Sequence, residues 1–347
     1  MHILVVNPGG GSTRVALFDG EVEVHRAEVP AGAAATPAED LAARLEAVRA
    51  AMDGWDLARL HAVVGRGGPI RPVRAGTWRV DDRLVADVLA GRVLAEHPSN
   101  LGAPLAAALA AGSGCPAFVV DPVSVDELEP AARITGLPEL PRRSLFHALN
   151  VRSVARRHAD ALGRPLAELV LVVAHLGSGV SVALVSQGRV VDVNNSADEG
   201  PFSARRAGGL PAMALLDLVE ADPACIPAFK RRMMSEAGLV AHLGTADLAK
   251  AEQRAKEGDG QAALVLDALA LQVAKAVGAL AAEARGRVDG ILITGGMARS
   301  DRLVGDIAAR VAWIAPVAGY PGEAEMEALA TAAARVLDGE EPALDWP

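Results

Sequence analysis

The residues of this sequence that are best suited to chemistry are arginines, histidines and carboxylates in short polar segments. Several of these segments directly follow an apolar run, and the candidates are Arg66 in VVGRGGP, His97 in AEHPSNLG, Asp121 in FVVDPVSVDE, His147 in LFHALN, His175 in VAHLGSG, Arg206 in FSARRAGGLP and Glu325 in YPGEAEMEALA. Arginine clamps anionic oxygens, carboxylates hold Mg²⁺ with several waters retained, and histidine donates to developing charge. The combination indicates phosphoryl transfer.

Three glycine corners each come just after an apolar run. They are Gly9, Gly10 and Gly11, then Gly177 and Gly179, and lastly Gly295 and Gly296, with Ser12 beside the first corner as a hydroxyl donor. Glycine lets a backbone approach a ligand closely, and successive N–H groups in a turn can form an anion nest. The sequence has no Gly-Lys dipeptide and no G-x-G-x-x-G spacing, which excludes the usual phosphate loops. Three such corners therefore favour a different kind of nucleotide site.

The elements that must position these residues alternate between strands and helices. Short apolar runs predict buried strands at Ile3–Val6, Ala62–Gly65, Ala117–Val120, Leu169–Ala174 and Gly290–Thr294. Alanine-rich stretches predict helices at Ala38–Ala51, Leu84–Ala90, Ala103–Ala111, Leu145–Leu162 and Ala262–Ala284. This alternation predicts an α/β fold.

An internal repeat predicts two related domains. ILVVNPGGGSTRVALFDGEV from Ile3 and VLVVAHLGSGVSVALVSQGRV from Val170 superpose with one gap, and each indicates a strand, a tight glycine turn and a second strand. Chance similarity between two apolar hairpins is the alternative explanation.

Composition limits the function classes. The chain has 347 residues, about two domains by length, with 51% apolar residues, 3% aromatic residues and a net charge of −9. The few aromatic residues and the negative charge argue against nucleic-acid binding. Two distant cysteines exclude a disulfide framework, and no basic leader or uninterrupted apolar span is visible, so we expect a cytoplasmic protein without a membrane segment.

Each single signal also has a plain structural interpretation. A lone histidine is usually packed or solvated, Asp121 could cap a turn, and Glu325 suits a helix N-terminus because of the helix dipole. G-x-S-x-G and H-E-x-x-H do not occur, which disfavours serine and zinc hydrolases. The residues alone therefore predict a two-domain α/β phosphotransferase.

Long motifs along nearly the whole chain resemble the acetate kinase family of the actin-like ATPase superfamily. In order they are VVNPGGGST, AVVGRGGPIRPV, AEHPSNLGA, PAFVVDPVSVDELEPAARITGLPEL, SLFHALN, VAHLGSGVSVAL, GRVVDVNN, EGPFS, GGLP, ITGG and IAPVAGYPGEAEMEALA. GRGG stands where acetate kinases typically have HGG, and this resembles the butyrate branch of the family.

The resemblance implies two ribonuclease H-like domains with a nucleotide cleft between them. We expect the first at 1–143 plus about 327–347 and the second at 144–326. It also implies reversible, direct phosphoryl transfer from ATP to butyrate or a branched short-chain carboxylate, giving ADP and an acyl phosphate, with Mg²⁺ and a homodimer or larger homo-oligomer. The alternatives are a kinase that prefers acetate or propionate, a non-catalytic actin-like nucleotide-binding module, and an actin-like sugar kinase.

The resemblance also implies roles for the candidate residues. Catalytic roles fall to Arg66, His97, Asp121, His147 and Arg206. Nucleotide binding falls to Asn7, Gly9, Gly10, Gly11, Ser12, Arg14, His175, Gly177, Gly179, Gly295 and Gly296, and metal binding to Asn7, Asp121 and Glu325. The first corner departs from the family pattern, because Gly10, Gly11 and Arg14 stand where hydroxyls and a lysine are usual.

Overall fold

The strands of this protein form two sheets, one in each of the two units into which the chain divides. The first unit comprises Met1–Asp126 and Ala324–Pro347, and the second comprises Glu127–Glu323. This computed structural model describes residues 1–32 and 34–347. The predicted α/β class is confirmed.

The first unit contains six strands and four α-helices among its described residues. They are β1 (His2–Pro8), β2 (Ser12–Asp19), β3 (Val22–Pro30), α1 (Pro37–Ala51), β4 (Leu60–Arg66), β5 (Thr77–Arg79), α2 (Asp82–Leu89), α3 (Gly102–Ala110), β6 (Ala117–Val120) and, from the end of the chain, α11 (Glu325–Leu337). The strand order is β3-β2-β1-β4-β6-β5, with β1, β4 and β6 parallel to one another. The carboxyl ends of these three strands therefore share one edge of the sheet.

The second unit contains five strands and seven α-helices. They are α4 (Ala148–Leu162), β7 (Val170–Leu176), β8 (Val180–Ser186), β9 (Arg189–Val193), α5 (Ala212–Ala221), α6 (Ile226–Ser235), α7 (Leu239–Leu243), α8 (Leu248–Lys256), α9 (Gly260–Glu283), β10 (Gly290–Gly295), α10 (Asp301–Val311) and β11 (Val317–Pro321). The strand order is β11-β10-β7-β8-β9, with β7, β10 and β11 parallel.

Five strands of the first sheet, all but β5, have the same topology as the second sheet. Reading from the outer antiparallel strand, β3-β2-β1-β4-β6 matches β9-β8-β7-β10-β11 in strand order and direction. The repeated sequences form the antiparallel hairpins β1–β2 and β7–β8 at corresponding places. The internal repeat of the sequence is therefore a repeat of structure.

The apolar runs form these strands because both faces of each sheet are covered. Residues Ile3–Val6 of β1 and Leu171–Ala174 of β7 are at most 1% exposed, which explains the continuous apolar pattern in place of an alternating one. Helix α1 begins at a capping box in which Thr36 and Glu39 satisfy each other's backbone N–H groups. Helix α4 ends at Gly163, which has φ +61°, a conformation that suits glycine.

Helix α9 is the one helix among the described residues whose length and composition would allow a membrane span. It packs against α8, α10 and β8, and its buried stripe includes Leu266, Leu269 and Val273. These contacts agree with the predicted core helix.

Residues 127–143 make contacts within the second unit, although the sequence prediction assigned them to the first domain. The backbone N–H of Glu129 donates to Val191 O at 2.8 Å, and Arg142 pairs with Asp192 at 2.8 Å and with Glu199 at 3.2 Å. Backbone bonding to β9 and partly buried ion pairs explain why this segment joins the second unit. The boundaries of the two folding domains stay a prediction.

Candidate active site

Four predicted residues of the first unit meet around one carboxylate. Glu325 is the first residue of α11 and is almost fully buried. Its Oε2 accepts from Asn7 Nδ2 at 2.8 Å and from Arg14 Nη2 at 2.9 Å. Arg66 completes the group, with Nη2 2.9 Å from Oε1 and Nη1 3.2 Å from Oε2.

The strands explain why these side chains converge. Asn7 and Arg14 face each other as a cross-strand pair on β1 and β2, and Arg66 ends β4, the parallel neighbour of β1. Side chains at adjacent strand ends reach the same edge of the sheet, where α11 begins. Two guanidinium groups and one carboxylate leave this group of four with a net positive charge, which suits an anionic ligand.

The backbone before Glu325 is strained. Ala324 has φ +39°, a left-handed conformation that residues with a side chain rarely adopt. Such strain costs on the order of 1–3 kcal/mol and persists only where the surroundings fix it. The three donors on Glu325 are among the interactions that hold the start of α11 in this position.

The first glycine corner is open. A Cβ added to Gly10 or Gly11 would meet no atom within 4 Å, so packing within the described residues does not require glycine at either position. Gly9 N–H donates to Ser12 O at 2.7 Å and closes the turn, while the Ser12 hydroxyl donates to Glu28. The free space above the corner allows a ligand to approach its backbone.

Two other predicted residues of the first unit fix local turns. Asp121 follows β6 with φ +36°, and its Oδ1 accepts from the backbone N–H of Gly76 at 2.7 Å. His97 precedes a short 3₁₀ helix, and its Nδ1 lies 2.6 Å from Ser99 Oγ and 3.2 Å from Ser99 N. Both contacts agree with the structural interpretation stated above, and their catalytic roles stay predictions.

In the second unit, two predicted histidines stack on each other. The rings of His147 and His175 lie 3.9 Å apart at 15°. His147 precedes α4, and its Nδ1 lies 2.8 Å from Ser181 Oγ on β8. His175 lies on β7 and is buried, so strand and helix together fix both rings.

Asn150 sets the orientation of His175. Its Nδ2 donates to the backbone oxygen of Glu323 at 3.1 Å, which turns its Oδ1 toward His175 Nδ1 at 2.8 Å. Because Oδ1 only accepts, Nδ1 of His175 carries a proton in this arrangement. The other ring nitrogen, Nε2, lies 3.8 Å from Glu323 Oε1.

Arg206 lies against the second glycine corner. Its Nη1 donates to Ser196 O at 3.1 Å and to Ser196 Oγ at 3.0 Å, and burial lowers the pKa of its guanidinium. A Cβ added to Gly179 would lie 2.7 Å from Nη1, so glycine is needed for Arg206 to approach. Gly177 N–H donates to Gly179 O at 3.1 Å and closes this turn.

The third corner follows β10. Gly295 has φ +91°, and a Cβ there would lie 2.3 Å from Leu176 O, so both conformation and space require glycine. Gly296 begins a 3₁₀ helix and has no atom within 4 Å of an added Cβ. Gly295 is therefore required by packing and backbone conformation, whereas Gly296 borders open space.

Sequence reasoning missed the residues that hold the candidates in place. Asn150, three positions after His147, and Arg44 on α1 were not recognised, and Arg44 is almost fully buried. A signal was present for Arg44, because it lies at helical spacing between Leu41 and Val48, where an apolar residue is expected.

Comparison with known proteins identifies the family. Residues 139–314 match the model of the acetokinase family. The chain is 46% identical to the probable butyrate kinase of Coprothermobacter proteolyticus over 99% of this chain and 98% of that protein. It is 43% identical to probable butyrate kinase 2 of Caldanaerobacter subterraneus over 98% of each.

A solved structure of an acetate kinase has a similar fold. The crystal structure of Porphyromonas gingivalis acetate kinase superposes with a TM-score of 0.81 at 17% identity, over 97% of this chain and 99% of that one. The predicted actin-like fold and the resemblance noted in the sequence are confirmed, and the chain belongs to the acetokinase family.

Proposed function

We propose that this protein is a kinase that transfers the γ-phosphoryl group of ATP to a short-chain carboxylate, giving ADP and an acyl phosphate. Family membership supports the use of ATP and of a carboxyl acceptor. The observation that carries the site assignment is the convergence of Asn7, Arg14 and Arg66 on Glu325 beside an open glycine corner.

The chemistry needs no general base. Carboxyl groups have pKa values near 4, so a short-chain acid is already ionised at neutral pH. One carboxylate oxygen attacks the γ-phosphorus in line, the bond from that phosphorus to the β,γ-bridging oxygen breaks, and ADP leaves with the bond's electrons. Catalysis then depends on positioning the reactants and neutralising charge.

The residues of the first unit suit the anionic parts of this reaction. We assign Arg66 and Arg14 to donate N–H groups to phosphoryl or carboxylate oxygens, and the corner Gly9–Ser12 to approach the transferred group. Arginine presents several fixed donors, so each guanidinium can keep a bond to Glu325 while another N–H binds a ligand oxygen. The geometry therefore allows both arginines to bind a ligand while they keep their bonds to Glu325.

The residues of the second unit receive related tasks. We assign His147 to donate to charge that develops during transfer and Arg206 to neutralise an anionic oxygen. Ser181 and the stacked His175 fix the ring of His147. Gly177 and Gly179 have no side chains, so the second glycine corner stays narrow. Gly295 and Gly296 are assigned to the adenosine. In the first unit, His97 stays a catalytic candidate.

The first unit carries oxygen atoms of the kind that Mg²⁺ prefers. Asn7 Oδ1 is buried and has no hydrogen-bond partner among the described residues, and the carboxylates of Glu325 and Asp121 are oxygen donors of the kind that Mg²⁺ prefers. We propose that these three residues hold the ion, partly through water. When bound, Mg²⁺ would neutralise phosphate charge.

A butyrate or branched short-chain acid is the proposed acceptor. Two relatives that match this chain over nearly its full length are named probable butyrate kinases. A pocket distinguishes acids that differ by one methylene by only about 1–3 kcal/mol, so the preference has to be measured across a series. The reaction is reversible, and formation of ATP from the acyl phosphate is part of the proposal.

The test is an acyl hydroxamate assay with ATP, Mg²⁺ and acids from acetate to branched hexanoates. We expect hydroxamate from butyrate or isobutyrate at the highest kcat/KM. Arg66→Met should lower kcat/KM strongly, and Arg71→Met, a change at an exposed arginine of the same unit, should not. A folded protein that binds ATP and forms no hydroxamate from any of these acids would be a non-catalytic nucleotide module, and the proposal would be wrong.

We also propose a homo-oligomer, because the second unit exposes an apolar helix. No residue of α5 is buried, although Met213 and Leu216 are apolar and 70% and 58% exposed. Faces of this kind usually mark an interaction surface. Leu216→Glu should lower the molar mass measured by light scattering, and the control Leu140→Glu, at another exposed leucine, should leave it unchanged.

We also propose that the protein is cytoplasmic. Cys115 and Cys225 are both free thiols, which suits the reducing cytoplasm. The expectation that the chain binds neither nucleic acid nor a membrane stays a prediction.

A further inference from the structure

Arg44 is an almost fully buried arginine that reaches the strand after the first glycine corner. It lies on the buried stripe of α1, and its side chain is 3% exposed. Its Nε donates to Asp40 Oδ1 at 2.7 Å, and its Nη1 donates to Thr13 Oγ1 at 2.7 Å. The same Nη1 lies 3.4 Å from the backbone oxygen of Ser12.

These contacts reach the hydrogen bond that closes the first glycine corner. Ser12 O is the atom that accepts from Gly9 N–H, so Arg44 and the corner share one acceptor. Asp40 is one turn before Arg44 on the same helix and compensates the charge of the guanidinium. Burying a charge costs free energy unless the group is paired and hydrogen-bonded, and Asp40, Thr13 and Ser12 supply these partners.

The strand is held from both faces. Thr13 and Arg14 are successive residues of β2, so their side chains point to opposite faces of the sheet. Thr13 bonds to Arg44 on one face, and Arg14 bonds to Glu325 on the other. The first residues of β2, and with them the corner, are therefore fixed between two charged side chains.

We infer that Arg44 is a positioning residue that presets the corner Gly9–Ser12 for the γ-phosphate of the nucleotide. The inference rests on the proposed function, which places this corner beside the transferred phosphoryl group. Gly10 and Gly11 have no side chains and open space around them, so hydrogen bonds have to define the position of the corner. Gly11 O accepts from Ala31 N–H at 3.0 Å, and Arg44 adds its bonds at the neighbouring Ser12 and Thr13.

The test compares two nucleotides that differ at the γ-position. Arg44→Lys keeps the charge and can pair with Asp40, but an ammonium cannot place fixed donors on Asp40, Thr13 and Ser12 together. By calorimetric titration we expect Kd for a non-hydrolysable ATP analogue to rise about tenfold, while Kd for ADP stays unchanged. Thr13→Val, which removes the acceptor and keeps the shape, should shift Kd in the same direction.

Controls separate positioning from general structure. Arg49→Lys alters an exposed arginine on the same helix and should leave both Kd values unchanged. Equal weakening of both nucleotides by Arg44→Lys, or no change in either, would overturn the inference. If Arg44→Lys does not fold, the Kd values of Thr13→Val for the ATP analogue and for ADP decide whether the inference holds.

The outcome is independent of turnover. Binding is measured without a carboxylate, so a wild-type protein that forms no acyl phosphate contradicts the proposed function and still yields the two Kd values. In the active enzyme, Arg44→Lys should raise KM for ATP and leave KM for the carboxylate unchanged. A matching rise in KM for the carboxylate would indicate general damage and would count against the inference.

Discussion

Removing the charge of Glu325 should release Arg14 and Arg66, the two arginines that bond to it. The change is Glu325→Gln, which keeps the size of the side chain and one acceptor oxygen. At present the carboxylate accepts from Asn7, Arg14 and Arg66 within 3.2 Å. In the variant two guanidinium groups remain close together with no carboxylate between them.

The size of the effect follows from burial. Breaking a fully buried ion pair costs about 3–5 kcal/mol, and an exposed pair contributes about 0–1 kcal/mol. Glu325 is 6% exposed and Arg14 is 35% exposed, so the pair lies between these cases. We expect a coupling free energy of about 1–2 kcal/mol between the two residues.

A double-mutant cycle measures this coupling. Glu325→Gln, Arg14→Met and the double variant are compared with the wild type by thermal unfolding, where 1 kcal/mol shifts Tm by roughly 2–4 °C for a unit of this size. The control cycle uses Arg79 and Asp345, a pair at 3.6 Å in which both side chains are exposed. A coupling no larger than that of the control pair would refute the assignment of Glu325 as the anchor of Arg14.

Two further predictions concern the second unit. Partial burial of its carboxyl group, reinforced by the neighbouring Asp192, raises the pKa of Glu283 from 4.5 to about 7, although the rest of the residue lies at the surface. The folded state therefore binds more protons than the unfolded state, and this group's contribution to stability should fall as pH rises between these values. Glu283→Gln should remove this contribution in melts at several pH values, and Glu340→Gln, at a glutamate elsewhere on the surface, should not. Gly295→Ala should cost at least about 1–3 kcal/mol because of its φ and the contact with Leu176 O, and an unchanged Tm, or an equal loss in Gly296→Ala, would contradict this.

The parallel strands were predictable because burial alone defines them. All five apolar runs named from the sequence lie in β1, β4, β6, β7 and β10, apart from Leu169, which directly precedes β7. These strands are covered on both faces and therefore carry continuous apolar residues. Helices α1, α2, α3 and α9 also agree with prediction to within about two residues, as expected for helix ends. The helix predicted from Leu145 begins later, at Ala148, because His147 adopts a non-helical backbone.

The contacts of the site were only partly predictable. The sequence places Asn7 and Arg66 at strand ends, and the rule for parallel strands brings those ends together. Nothing local connects them with Glu325, which follows more than 250 residues after Arg66, because that contact depends on how α11 packs. The stacking of His147 on His175 depends in the same way on how α4 packs against β7.

The contacts around Glu325 in the first unit and around His147 in the second unit follow the same arrangement. In the first hairpin the second-last pair before the loop is Asn7 with Arg14, and in the second hairpin the corresponding pair is His175 with Ser181, next to a loop one residue shorter. Each pair contacts the residue at the start of a helix: Asn7 and Arg14 bind Glu325, whereas His175 and Ser181 contact His147.

These two helices correspond to each other. Helix α11 packs on β1 and β4, and α4 packs on β7 and β10, which are the matching strands of the two sheets. Glu325 and His147 therefore occupy equivalent places in a duplicated framework, with different chemistry. The first place holds an anion that gathers two arginines and offers oxygen ligands to a cation, and the second holds an imidazole that can donate to an anion. The proposed reaction handles both Mg²⁺ and phosphoryl charge, and it would use the two different groups at these equivalent positions.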